Sequence, residues 1–300
     1  MSPTVDLGRL GVWGHLDSLS AEEARDYAAR VEELGFGTLW VPETVGREPF
    51  TLLGMLAGTT TSLLLGTSIA SIWGHDAQTT RMAALTLQDA TAGRFVLGLG
   101  VSHPHLAQRL RGHAFDRPLT RMREFLAAYR SAIYKGPMSD GAPDPPILLA
   151  ALRERMLTLS ATDADGAFPY LVTAERVAWI RSVLDAALPN RRAVLAVSMP
   201  AVLSTDPSAA RQAARAYLAP YLRTPTYHAS WALQGFADAD WEKPGSERLV
   251  DAMVAWGDVD ALHARVAELV EAGADHVAVI PLSDGGNTEN LDVLEAMASL

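Results

Sequence analysis

A short apolar run followed by a helical repeat of apolar positions recurs along the whole chain. "GRLGVW" (8–13) opens the series, and Ala24, Tyr27, Ala28, Val31 and Leu34 follow at helical spacing. That helix starts at Ser20-Ala21-Glu22-Glu23, where the Ser20 side chain caps the Glu23 amide and Glu23 reaches back; Gly35 stops it. "GTLWV" (37–41), a helix over 49–60 and "SLLLGTSIAS" (62–71) come next. A helix over 77–91, ended by Gly93, leads to "RFVLGLG" (94–100). Helical pieces around Arg109 and over 121–133 precede a linker-like stretch, 134–146. The remaining runs are "ILLAA" (147–151) with a helix from Arg153, "GAFPYLV" (166–172) with a helix from Thr173, "RAVLAVSMPAVL" (192–203), and "DHVAVI" (275–280) with a closing helix over 290–300.

Eight strands, each followed by a helix, predict an α/β chain: a single (β/α)8 TIM barrel spanning residues 1–300. Between strands seven and eight the chain holds roughly 40 residues more than a βα unit with ordinary short loops needs. The excess, 220–256, is predicted to be a helical insertion over one barrel end.

Composition narrows the picture further. No residue from 50 to 73 is charged, a length that could cross a bilayer. Eight Ser or Thr and three glycines (Gly54, Gly58, Gly66) interrupt it, and a helix followed by a strand covered on both faces explains it better. The formal charge is −10 with no basic run, which argues against nucleic-acid or anionic-membrane partners. The chain has no cysteine, which excludes disulfides, thiolate metal sites and cysteine nucleophiles. "MSPTVDLGRLGVWG" has neither a basic nor an apolar leader segment, so a cytoplasmic location is expected.

In such barrels chemistry gathers where the strands end. That rule selects 13–15, 42–44, 68–75, 100–105, 150–153 and 168–173. Familiar motifs fail there. "GLGVSH" (98–103) puts His103 where a dinucleotide loop needs its third glycine, and "GVSHP" puts Pro104 where a nucleophile elbow needs one. His103-Pro104-His105 has no carboxylate companions at ligand spacing, so no metal is expected. Glu43 reads either as a solvated loop carboxylate, with Arg47 its one near basic residue, or as a group facing the barrel mouth. His75 fits a surface helix cap, and Trp13 and Trp73 taken singly fit rim packing. Only the constellation points elsewhere: "GTSIAS" and "GLGVS" end neighbouring strands in small residues that let backbone approach a flat isoalloxazine-type ring.

"AARVEELGFGTLWVPE", "LLLGTSIASIW", "LTLQDATAGRFVLGLGVSH" and "RLVDAMVAWGDVDALHARVAELVEAGADHVAVIPL" together resemble the luciferase-like monooxygenase superfamily, specifically its coenzyme F420-dependent oxidoreductase branch. The resemblance implies a barrel that holds a deazaflavin at the strand ends, hydride transfer to or from an organic small molecule, and a homodimer. It also implies a non-proline cis peptide at Ser68–Ile69 or one residue later. Glu43 falls at the strand-two position that touches ring or substrate in relatives; they commonly have a histidine next, where this chain has Thr44. His103 falls where some relatives carry a catalytic glutamate. The implied catalytic residues are thus Glu43 and His103. The implied cofactor contacts are Trp13, Ser68, Ile69 and Ala70, then Gly100, Val101 and Ser102, then Ala150, Ala151, Arg153 and Tyr170. The resemblance puts the phosphate at the helix start with Arg153, but where relatives show Gly-Gly-Ser this chain has Ala-Ala-Leu, so phosphate recognition is expected to rest more on "PYLVT" (169–173) or on Arg81. FMN is the alternative cofactor, with oxygen chemistry, and a flavin-binding barrel without activity is a further alternative. The insertion, with Tyr227, His228, Trp231 and Trp241, reads equally as a lid over the cavity or as a dimer-packing helix pair.

Overall fold

The computed structural model describes residues 5–138 and 143–298. In chain order its strands are β1 (Leu10–Trp13), β2 (Thr38–Val41), β3 (Leu64–Thr67) with a short continuation β4 (Ala70–Ser71), β5 (Phe95–Gly100), β6 (Ile147–Leu149), β7 (Gly166–Ala167), β8 (Val194–Leu203), β9 (Ala255–Gly257) and β10 (His276–Pro281). Every pairing is parallel, and β10 closes the barrel by pairing with both β1 and β8. The helices outside it are α1 (Ala21–Glu33), α2 (Pro49–Leu56), α3 (Ala77–Ala90), α4 (Pro118–Ser131), α5 (Glu154–Thr162) and α6 (Ala174–Ala187). After β8 come α7 (Pro207–Leu218) and the inserted α8 (Pro225–Ala232), α9 (Asp238–Trp241) and α10 (Glu247–Met253). There β9 lies along the end of β8, before α11 (Val259–Glu271) and α12 (Leu291–Met297). The α1 capping box forms as its sequence predicts. Among the described residues no helix is long and apolar enough to cross a membrane.

Alternation along the strands sorts the core into two shells. Val12, Leu39, Leu65, Leu97, Leu149, Val197 and Val277 pack outward against helix residues such as Val31, Leu53, Leu157 and Val266. Trp40, Val96, Leu148, Ala196 and Ala278 cluster inside the barrel. There Trp40 Nε1 donates to His276 Nε2 at 2.9 Å, while His276 Nδ1 lies 2.7 Å from the Gly8 carbonyl. Nδ1 therefore carries the hydrogen, and burial pushes the imidazole down to about 4.

Two strand expectations need correction. The run 62–71 is not one strand. From Leu65↔Phe95 to Ala70↔Leu99, five steps on one side face four on the other, so one extra residue bulges out. The Ser68–Ile69 peptide in that bulge is cis, at the position the resemblance implies. The run 166–172 forms strand only at Gly166–Ala167, because Pro169 has no amide to donate and Leu171 turns the chain at φ 54°. The small residues also have another use than the one expected. A side chain at Gly66 would collide with the Trp40 indole, and one at Gly100 would reach within 2.7 Å of Ile69 Cγ1. Their room is taken by the protein's own side chains, inside the barrel and at the bulge.

Candidate functional site

A cavity of 620 Å³ opens over the C-terminal strand ends. Its wall is built from the residues that follow each strand: Trp13 and His15 after β1, Glu43 and Thr44 after β2, and Ser68 and Ile69 in the bulge. Val101, Ser102 and His103 follow β5, Ala150 and Ala151 follow β6, and Phe168 and Tyr170 stand beyond β7. Two added segments arch over these. Leu106, Phe115 and Leu119 come from the stretch after β5, and Tyr221, Thr226 and Tyr227 come from the insertion. The insertion thus reaches the cavity, whereas Trp231 is buried away from it and His228 stacks on Trp241 at 5.1 Å.

Aromatic groups fix one side. Trp13 Nε1 donates to the Ser68 carbonyl at 3.0 Å, which ties β1 to the bulge. Its ring stands 5.8 Å from Tyr170. The Tyr170 hydroxyl bonds those of Tyr217 and Tyr221, the latter at 3.0 Å, and Tyr227 packs edge-on to Tyr221. Burial raises all four phenols above their usual range, so they stay neutral hydrogen-bonding groups. His103 lies 5.3 Å from the Tyr227 ring, follows Ser102 at φ 55°, and among the described residues has no partner for Nδ1. Burial pushes its imidazole down to about 4.

Glu43 is no solvated loop carboxylate; its side chain is 5% exposed. Oε2 accepts the Ser71 amide at 2.7 Å and lies 3.3 Å from His75 Nε2, while Oε1 is held by Arg111. Arg47 turns away to the Leu19 carbonyl. Position 44, where the resemblance expects a histidine, holds a threonine that donates to Asp17 at 3.0 Å. His75 supplies an imidazole at the carboxylate from another loop. It is not the helix cap: Asp76 caps α3 by accepting the Thr79 amide. The carboxylate beside it raises the His75 imidazole above its usual value, against the pull of burial and of Arg111.

All the expected cofactor contacts line the cavity except Ala70 and Gly100, which sit in the strand ladder beneath it. Arg81 is also elsewhere, forking onto Asp144 at 2.9 and 3.0 Å outside the cavity. Sequence reasoning missed Arg111 and Tyr221. Both come from connections rather than strand ends, where no periodic signal marks which side chain turns inward. At the far side α5 begins without a side-chain cap, with Arg153 and Arg155 beside its free amides and Glu154 between them. Those amides suit an anion. Among the described residues no group of acidic, histidine or cysteine side chains is arranged to hold a metal.

A closed parallel barrel with a cavity over its C-terminal strand ends places a ligand site where the strand-end connections converge. The luciferase-like monooxygenase family model matches residues 3–276, and the chain belongs to that family. The provisionally named coenzyme F420-dependent oxidoreductase Rv3520c of Mycobacterium tuberculosis is 25% identical over 96% of this chain and 97% of its own. The coenzyme F420-dependent tetrahydromethanopterin reductase of Methanopyrus kandleri superposes with a TM-score of 0.76 at 17% identity, covering 97% of each chain. The oxygenating constituent of the Pseudomonas putida 3,6-diketocamphane monooxygenase, in complex with FMN, superposes with a TM-score of 0.71 at 15% identity, covering 97% of this chain and 96% of its own.

Proposed function

We propose that this chain is a coenzyme F420-dependent oxidoreductase that moves a hydride between the deazaflavin and an organic small molecule. One observation carries the reading. A cavity floored by the Ser68–Ile69 bulge and the small side chains of Ala150 and Ala151 runs to an uncapped helix start flanked by two arginines. That shape suits a flat ring joined to a phosphate tail, and the similarity to F420-dependent relatives supports it.

When bound, the cofactor supplies a ring carbon that gives or takes the hydride. The chain's own groups do the rest. Arg153, Arg155 and the α5 amides hold the anionic tail. Trp13, held by the Ser68 carbonyl, and the neutral Tyr170 wall keep ring and substrate in register and exclude water. His103, deprotonated at neutral pH, offers a hydrogen bond rather than an acidic proton. Glu43 is a carboxylate on the wall that would exchange a proton with the substrate.

Tryptophan fluorescence of the purified chain, titrated separately with coenzyme F420 and with FMN, tests this. Saturable quenching by F420 alone, weakened at least tenfold by Ser68→Phe, is the expected result. Quenching by FMN alone moves the protein to the oxygen-using side of the family. Binding without turnover of any substrate makes it a carrier, and binding of neither cofactor overturns the reading.

A further inference from the structure

Glu43 reaches the cavity, but the group best placed to control its protonation stands behind it. His75 lies on the turn between β4 and α3, with its side chain 15% exposed. Its Nε2 is 3.3 Å from Glu43 Oε2 and 3.7 Å from Glu48 Oε1. Glu48 is 42% exposed, so one imidazole nitrogen lies within ion-pair reach of both a carboxylate of the cavity wall and one in water, while hydrogen-bonded to neither among the described residues. A lone pair at Nε2 would face two anions, so that nitrogen carries a hydrogen at rest.

The surroundings hold this geometry. The Phe50 ring stands edge-on to the imidazole at 5.2 Å. The Phe50 and Thr51 amides pin the Glu48 carboxylate, at 3.0 and 2.7 Å. Asp76 spends its own carboxylate on Thr79. The charged groups facing His75 are therefore Glu43 and Glu48 against Arg111, and an imidazolium completes a neutral set.

We propose that His75 is the proton reservoir of the site, passing its proton through Glu43 to the substrate and refilling from water on the Glu48 side. This rests on the hydride-transfer reading. With a carbonyl compound and reduced deazaflavin, the substrate carbon gains the hydride and its oxygen gains a proton. The His75 Nε2–H bond breaks as a Glu43 O–H bond forms, and that bond breaks as the product O–H forms. Water then reprotonates the imidazole, and the relay itself is neither oxidised nor reduced. His75 acts through Glu43 and is a positioning residue, whereas Glu43 meets the substrate.

Two measurements test the proposal. In histidine-labelled chain without cofactor, NMR follows all eight imidazoles against pH, and His75→Gln identifies the His75 signal. Proton affinity of His75 is expected to be higher than that of a free imidazole. It should fall at least tenfold in Glu43→Gln and by a smaller factor in the more exposed Glu48→Gln. An affinity unchanged in Glu43→Gln overturns the proposal. In the second measurement, turnover of acetone, cyclohexanone and acetophenone is followed with reduced coenzyme F420. The wild-type kcat should fall as pH rises through the His75 midpoint. His75→Gln, which keeps a donor beside Glu43, should lose at least tenfold in kcat and that pH step, with KM and cofactor affinity unchanged. A His75→Gln variant with the wild-type profile shows a merely structural role and sinks the proposal, as does a cofactor-binding chain that reduces none of the probes. Failure to bind F420 is read separately, in the fluorescence titration, and removes the hydride reading itself.

Discussion

Gly74 shows how one missing side chain shapes the site. A Cβ there would collide with Glu43 Oε1 and stand 2.8 Å from Arg111 Nη1, between the two halves of the ion pair. Both groups are anchored, Glu43 by the Ser71 amide and Arg111 by Glu43 itself, so neither yields freely. Gly74→Ala is expected to cost about 1–3 kcal/mol in urea unfolding, the usual price of overpacking. It should also weaken the hold of Glu43 on His75, read as a lower His75 proton affinity by NMR. From sequence, Glu43 was legible as a strand-end carboxylate, but its partners were not. Arg111 lies 68 positions along the chain, and nothing in local pattern links the two. Trp13 and Ala150 were legible because a strand end fixes where its side chains go; Ser68 and Tyr170 were reached only through runs that the bulge and the early end of β7 interrupt.

Among the elements, one carboxylate joins a helix end to a strand start. Glu32, near the end of α1, accepts the Thr61, Ser62 and Leu63 amides at 2.8, 2.6 and 2.8 Å and the Ser62 hydroxyl at 2.8 Å, just before β3. These donors outweigh burial and hold its carboxyl down to about 2. Its stabilisation is therefore complete above about pH 4.5 and is lost as pH falls toward 2. Glu32→Gln leaves some of those amides without an anionic acceptor at a partly exposed site, and about 1 kcal/mol of stability at pH 7 should go with it. Comparing urea midpoints of wild type and variant at pH 7 and pH 3 checks this, and the gap should narrow at pH 3. Most elements were legible, since helix periods and caps are local, but β9 falls at the end of a stretch expected to be helical. The bulge between β3 and β4 was not legible, because it appears only in the pairing with β5. The early end of β7 had a local cause in Pro169, which the apolar run concealed.

For the whole molecule, a buried histidine in the barrel interior is expected to weaken the fold in acid. His276 is fully buried between Trp40 and the Gly8 carbonyl, and its imidazole is pushed from 6.5 to about 4. Between those values the unfolded chain binds the proton and the folded chain does not, so stability rises with pH across the window. Acidification from pH 6.5 to 4 should cost about 3 kcal/mol from this residue alone. Urea midpoints at pH 7, 5.5 and 4.5 measure the slope, and His276→Gln should flatten it. A wild-type slope unchanged in that variant would place the acid sensitivity elsewhere.

By itself the sequence determined the closed barrel, its eight strands, the helical insertion and the ring of strand ends that becomes the cavity wall. These follow from periodicity, caps and strand length, all set within a few residues. Tertiary structure alone decided which small residues admit a neighbour's ring, which helix start stays uncapped, and which loops meet Glu43. Those are contacts between distant parts of the chain, and they exist only once the barrel has closed and its connections have settled over the open end.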